Sequence, residues 1–266
     1  MKLLIYGLDG GDLEIMNIFK DQMPFFQKFL SENKSIHLEE DLINRGWVEI
    51  LTGKYGKDTR GFYMAPKLDG THNCATSFNM KVVEDDENIV PLWELAESKD
   101  ISYLIMNVPT TTPVPDTRNG IVVGSAGGGL NKIVGIPDIL VSDDETKRFL
   151  EENDYIVVIR IPNDEIDSTE ELFERVSQKE LKRTECFIEL SKKNETEFGF
   201  LVNRGNTIVE YLCRSVIEDY KIAKQKGIEC ESWVVPYLER HFRELDDQIK
   251  SLYEELNPEH FIITAD

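Results

Sequence analysis

Lys2-Leu3-Leu4-Ile5-Tyr6-Gly7-Leu8-Asp9-Gly10-Gly11 opens the chain and decides how the rest is read. Lys2 to Leu8 is a short β-favouring run, apolar at nearly every position rather than alternating, which is the pattern of a strand buried on both faces. Asp9-Gly10-Gly11 ends it, because glycines supply the tight turn that leads out of a strand. Strands buried on both faces belong to parallel sheets covered by helices. The turn after such a strand is where ligand sites of open α/β sheets lie, and this puts Asp9 at the functional edge.

Working outward, the same alternation repeats. Leu13 to Leu30 carries apolar residues at helical spacing, with a break and a fresh start at Met23-Pro24, since proline suits the first turn of a helix. A helix including Leu92, Trp93 and Leu95 precedes a strand over 101–107, and Ile121-Val122-Val123 is a third strand. Tyr155 to Ile161 reads as a fourth, Phe198 to Val202 as a fifth and His260 to Thr264 as the last. Helices are expected over 168–192, 207–226 and 235–256. Strands alternating with helices predict one α/β domain over 1–266, a mostly parallel sheet with helices on both faces. The glycine-rich loop Gly124-Ser125-Ala126-Gly127-Gly128-Gly129 is expected to be more mobile than its flanks, and 124–150 to form a mobile segment or a small cap. The acidic clusters at 85–87, 142–145 and 163–165 read as exposed loops or helix starts.

The chain has 50 acidic and 30 basic residues, for a formal net charge of −20. A polyanion repels nucleic acid and anionic lipid, so direct binding to either is not expected. No stretch approaches the roughly 18–20 apolar residues of a membrane span. The opening run is too short for a signal peptide, and the four cysteines (Cys74, Cys186, Cys213, Cys230) are scattered without a CxxC pair. Both features predict a cytoplasmic protein with reduced thiols.

Several segments, in order, resemble one family. Leu4 to Gly10 looks like a first strand ending in a metal-ligating aspartate, and Met23-Pro24-Phe25-Phe26 with Leu30 like the helix after it. Trp47-Val48-Glu49-Ile50-Leu51-Thr52-Gly53 looks like the segment beyond a nucleophile. Pro91 to Leu95, Asn107 to Pro113 and Asn119 to Gly124 match a central part, and Phe261 to Asp266 looks like a strand leading into an Asp-His-Gly metal motif. Together they resemble the alkaline-phosphatase superfamily, closest to its type I phosphodiesterase/nucleotide pyrophosphatase branch. The resemblance implies hydrolysis of phosphoesters on two metal ions, commonly zinc, which clamp the attacking and leaving oxygens.

Carried over residue by residue, much of that apparatus is missing. Asp9 matches the first metal aspartate, whose plainer reading is a helix N-cap. The nucleophile position falls on Ile43, which cannot attack phosphorus. Asn44 and Arg45 stand where a substrate phosphate would lie, and a guanidinium matches phosphate oxygens. The second Asp-x-x-x-His pair is matched by Asn206 and Glu210, and the final Asp-His pair by Asp266 alone. None of the four histidines (His37, His72, His241, His260) falls on a ligand position. A zinc pair is therefore not expected. Asp9, Asn206, Glu210 and Asp266 make an oxygen-only set, suited to one hard cation, Mg²⁺ or Mn²⁺. Three readings stay open: a binding or interaction module that has lost hydrolysis, a hydrolase with an altered metal site, and a truncated enzyme. The partner expected is a protein or a phosphorylated small molecule or nucleotide.

Overall fold

The structure, a computed structural model, describes residues 1–37, 45–62, 65–66, 70–71, 74–75, 80, 88–125, 135–157 and 169–265. Among the described residues, five strands build one sheet: β1 (Leu3–Leu8), β4 (Tyr103–Met106), β5 (Gly120–Val123), β6 (Phe198–Asn203) and β7 (His260–Ala265). Their order is β5-β4-β6-β1-β7, and every pairing is parallel. A separate antiparallel pair joins β2 (Ala65–Pro66) to β3 (Cys74–Ala75). Leu3 pairs with both Phe198 and His260, so the opening run and the last strand are direct neighbours, as the alternating pattern predicts.

Successive side chains of the strands bury on opposite faces. Leu4, Tyr6, Leu8, Leu104, Met106, Val123 and Leu201 face a large core formed with α1 (Leu13–Ile18), α2 (Pro24–Glu32), α6 (Asp144–Glu152), α7 (Thr169–Lys193), α8 (Gly205–Lys226) and α9 (Val235–Leu256). Tyr103, Ile105, Val122, Phe198, Phe200 and Val202 face a smaller core with α3 (Gly46–Thr52) and α5 (Leu92–Ser98). A one-turn helix, α4 (Gly56–Thr59), follows α3. The chain thus has the expected α/β layering. Each large apolar side chain buried between the layers contributes about 1.5–3 kcal/mol.

Local chemistry sets the helix ends. Asp12, not Asp9, caps α1: its carboxylate accepts the Glu14 N–H at 2.6 Å. Asp143 caps α6 in the same way through the Thr146 N–H, so the 142–145 cluster is a helix start. The N-cap of α2, Met23, has no side chain suited to the task. Asp246 supplies it from α9, accepting the Phe25 and Phe26 N–H groups at 2.9 and 2.7 Å. An anion fits there because free N–H groups and the helix dipole both favour negative charge.

One expectation needs correction. Residues 155–157, the described part of the expected strand 155–161, are not a strand. Arg183 Nη2 donates to the Val157 carbonyl at 2.6 Å and Arg183 Nε to that of Ile156 at 3.3 Å, so a guanidinium satisfies carbonyls that a sheet ladder would otherwise have used. In the expected mobile or cap segment 124–150, Gly124 and Ser125 are buried, while 126–134 lie outside the described residues. Beyond them Ile136, Leu140, Val141 and Leu150 belong to the larger core, so the described part of this segment packs with the domain. The clusters at 85–87 and 163–165 fall outside the described residues.

Candidate functional site

The carboxyl ends of the parallel strands gather Asp9 after β1, Asn107 after β4, Ser125 beyond β5, and Asn203 and Arg204 at the end of β6. Asp9 is pinned through both its backbone and its carboxylate. Its N–H donates to the Asn203 carbonyl at 2.9 Å, and its carbonyl accepts the Thr207 N–H at 3.2 Å. Oδ1 accepts the Trp47 indole N–H at 2.8 Å, and Oδ2 pairs with Arg204 Nε at 2.8 Å. Gly7 makes the first contact possible: the indole lies on its backbone, and a β-carbon there would stand 2.5 Å from Trp47 Cη2. Gly10 holds φ +72 in the turn after Asp9, with Thr207 packed against it. Trp47 is thus a core side chain, as well as the donor that orients Asp9.

Asn206 sits fully buried in the first turn of α8, with Oδ1 2.9 Å from His241 Nε2. Burial lowers His241 to about 4, so its imidazole is neutral and its Nε2–H donates to Asn206. Glu210, one turn further along α8, has a buried carboxylate oxygen with no hydrogen-bond partner. Burial, with Asp12 adding repulsion, raises its pKa to about 8. The carboxylate acting on Glu210 is therefore Asp12, not Asp9. Asp266, Ile43 and Asn44 lie outside the described residues. Arg45 is the N-cap of α3, and its Nε donates to the Phe62 carbonyl at 3.0 Å.

The described members of the expected oxygen-only set each have their own surroundings. Asp9 is engaged by Trp47 and Arg204, Asn206 turns its oxygen to His241, and Glu210 stands beside Asp12. Among the described residues, no group of three or more His, Cys, Asp or Glu side chains is placed to hold a metal ion. Among the described residues, the cation paired with Asp9 is the Arg204 guanidinium. Among the described residues, no helix is long and apolar enough to cross a membrane.

Sequence reasoning missed a second constellation behind the same strand ends. Lys179, Glu180 and Arg183 on α7 are 3%, 3% and 4% exposed. Lys179 Nζ lies 2.7 Å from Glu180 Oε1, and Arg183 Nη1 lies 3.6 Å from the same oxygen. Glu180 sits at the start of α8: it accepts the Arg204 N–H, and its Cγ is 3.1 Å from where a β-carbon on Gly205 would stand. Burial alone would raise the Glu180 pKa, but Lys179 and Arg183 outweigh it and the carboxyl stays below its ordinary value. Burial brings Lys179 down to about 8. Arg183 also lies over the Tyr155 ring, 5.9 Å from its centroid, and the Tyr155 hydroxyl donates to Asn107 Oδ1. Its only sequence signal was three charges within two turns of an amphipathic helix, which ordinarily mark a solvated face.

In comparison with known proteins, the sequence matches no family model and no curated relative.

Proposed function

We propose that this chain is a relative of the type I phosphodiesterases that keeps their α/β frame as a binding module, taking a phosphorylated small molecule or nucleotide at the edge formed by Asp9, Arg204 and Arg45 without hydrolysing it. The observation that carries this reading is the state of Asp9. In the resemblance Asp9 is a metal aspartate; here one oxygen takes an indole N–H and the other a guanidinium. A metal replacing Arg204 would have to break that charge-assisted hydrogen bond. The nucleophile position, Ile43, supports the same reading, since it offers no hydroxyl. Arg204 Nη1 also donates to Ser125 Oγ at 3.5 Å, which brings a guanidinium and a hydroxyl together at the strand-end edge, groups of the kind that recognise a phosphate.

Glu210 favours a second reading, a phosphoester hydrolase using one Mg²⁺ or Mn²⁺, because a buried carboxylate oxygen without a partner is a ligand in want of a cation. One experiment separates the two. Purified protein is assayed on bis(p-nitrophenyl) phosphate with Zn²⁺, Mg²⁺ and Mn²⁺ in turn, and binding of AMP and ATP is followed by calorimetry. The binding reading expects turnover near background with every metal and nucleotide binding that weakens at least tenfold in Arg204→Met. Metal-dependent turnover that disappears in Asp9→Ala would overturn it. Absence of both turnover and nucleotide binding would point instead to a protein partner.

A further inference from the structure

We propose that the short loop 53–61, built around α4, is a docking surface for an acidic segment of a partner protein, held by Lys54, Lys57 and Arg60 beside the exposed ring of Tyr55. The surface stands on this loop alone and does not depend on the reading given to Asp9.

The first argument is charge. The chain as a whole has 50 acidic and 30 basic residues, yet residues 45–62 reverse that balance, with Arg45, Lys54, Lys57 and Arg60 against Glu49 and Asp58. Glu49 is committed to the fold, since its Oε1 accepts the Gly56 N–H at 3.0 Å. Lys54, Lys57 and Arg60 are exposed, and among the described residues none of the three is in an ion pair. Lys192 and Lys193 on α7, likewise exposed, each meet a carboxylate at 2.7 Å. A small positive patch on a negative protein selects its ligand by length. Exposed charges act over about 8 Å at physiological ionic strength, so a few carboxylates of a peptide can sit on the patch without meeting the rest of the surface. A nucleic acid carries its charge on past the patch and is repelled.

The second argument is the backbone. Gly53 ends α3 at φ +64, a left-handed turn of the kind glycine serves. Arg60 ends α4 in the same conformation, at φ +59, with its N–H donating to the Gly56 carbonyl at 2.7 Å. Glycine is the low-cost residue there, and the chain instead holds a side chain whose charge faces solvent. The loop is anchored from within: Thr59 is buried, the Asp58 and Thr59 N–H groups donate to the Tyr55 carbonyl at 2.9 and 3.1 Å, and the Gly61 carbonyl accepts the Arg45 N–H at 2.8 Å. A loop held in this way loses little freedom when a partner binds. Tyr55 completes the surface. Its ring is 66% exposed, with Lys57 Nζ 5.9 Å from the centroid. An exposed aromatic ring among cations joins an apolar anchor to electrostatic steering, so the occupant is an acidic stretch that carries an apolar side chain to cover the ring.

The test is fluorescence anisotropy of a fluorescein-labelled peptide, Glu-Glu-Asp-Leu-Glu-Glu, titrated with the full chain in 50 mM and 300 mM NaCl. Binding is expected to saturate, to weaken at least fivefold at the higher salt, and to be absent for the neutral peptide Gln-Gln-Asn-Leu-Gln-Gln. Lys54→Glu with Lys57→Glu is expected to weaken it at least tenfold. Lys99→Glu with Lys226→Glu, the same change in net charge placed elsewhere, is expected to leave it unaltered. Arg60→Gly suits the left-handed backbone, so it is expected to raise the melting temperature while weakening the peptide at least threefold. No saturable binding, or binding unchanged in Lys54→Glu with Lys57→Glu, would overturn the proposal. So would displacement of the peptide by AMP together with its loss in Arg204→Met, which would merge the patch with the Asp9 edge, or a single-stranded oligonucleotide bound more tightly than the peptide. Self-association abolished by Lys57→Glu, or peptide binding that appears only once Glu39, Glu40 and Asp41 are changed to their amides, would make the chain itself the occupant and would overturn it too.

Discussion

On the α3 side of the strand ends, one carboxylate, Asp9, meets one guanidinium and one indole N–H. On the α7 side, one carboxylate, Glu180, is shared by a lysine and an arginine, while amide and guanidinium donors nearby go unmatched. The two regions lie at the same edge of one sheet and are joined through Arg204, whose side chain serves Asp9 and whose backbone serves Glu180. In the first arrangement both oxygens of the Asp9 carboxylate are matched, so carboxylate, indole and guanidinium stabilise one another. The second is open, and folding alone gives no return for the second cation. The difference separates an ion pair that stabilises the fold from a buried cation held at a cost to it.

Breaking the closed side carries the largest effect. Arg204→Met leaves the Asp9 carboxylate partly buried with no cation, and a loss of about 2–4 kcal/mol is expected, the upper end being limited because Arg204 is partly solvated. Asp9→Asn with Arg204→Met should recover much of that, since an amide needs no counter-ion. Urea denaturation of both single variants and the double variant gives the coupling. Additive single effects would show that the pair contributes nothing, and the contrast between the two sides would fail.

The open side predicts the opposite sign. Lys179→Met should raise stability at pH 7 by about 1–3 kcal/mol, because a methionine fills similar space and Arg183 still pairs with Glu180. The pH dependence follows from the lowered lysine. The unfolded chain binds its proton up to about pH 10.5, the folded chain only up to about 8, so between these values the unfolded state holds more protons. Wild-type stability should therefore rise relative to the methionine variant from about pH 8 to 10.5, with the full penalty present below 8. Parallel chemical melts across that window check it. A variant less stable than wild type at pH 7 would make Lys179 a structural partner of Glu180, and the distinction between the two sides would dissolve.

Much of the frame was legible because strand and helix periods are local. The apolar run at 2–8 and that at 260–264 are adjacent parallel strands, and Pro236 in the first turn of α9 agrees with the expected start at 235. The failure at 155–157 has a non-local cause: those carbonyls are taken by a guanidinium on α7. The same holds for the site. Asp9 was visible from its place after the first strand, but its partner is Arg204, 195 positions away, and no local spacing announces an ion pair across that distance. Asn206 and Glu210 enter the expected ligand set with Asp9 and Asp266 only through the resemblance, as the match to its Asp-x-x-x-His pair. The helix instead turns Asn206 into the core toward His241 and leaves Glu210 beside Asp12.

Glu210 supplies the smallest effect and the sharpest check on the cation alternative. Its carboxyl is held up at about 8 against an ordinary 4.5 by burial and then by Asp12. Between those values the folded chain holds a proton that the unfolded chain has released, so the contribution is fully present below about pH 4.5 and is lost as pH rises through about 8. Glu210→Gln removes the ionisation, and because the site is only partly enclosed a gain of about 1–2 kcal/mol is expected at pH 8, shrinking toward zero near pH 5. Thermal melts of both proteins at pH 5, 6.5 and 8 measure the difference. Repeating them with 5–10 mM Mg²⁺, roughly the range in which a weak oxygen-ligand site fills, tests the alternative directly. A cation held by Glu210 would stabilise wild type at pH 8 and leave the glutamine variant unchanged, cancelling the gain. With no such cation, Mg²⁺ shifts both proteins alike and the gain at pH 8 persists, which leaves the Arg204 guanidinium as the cation paired with the described members of the expected ligand set.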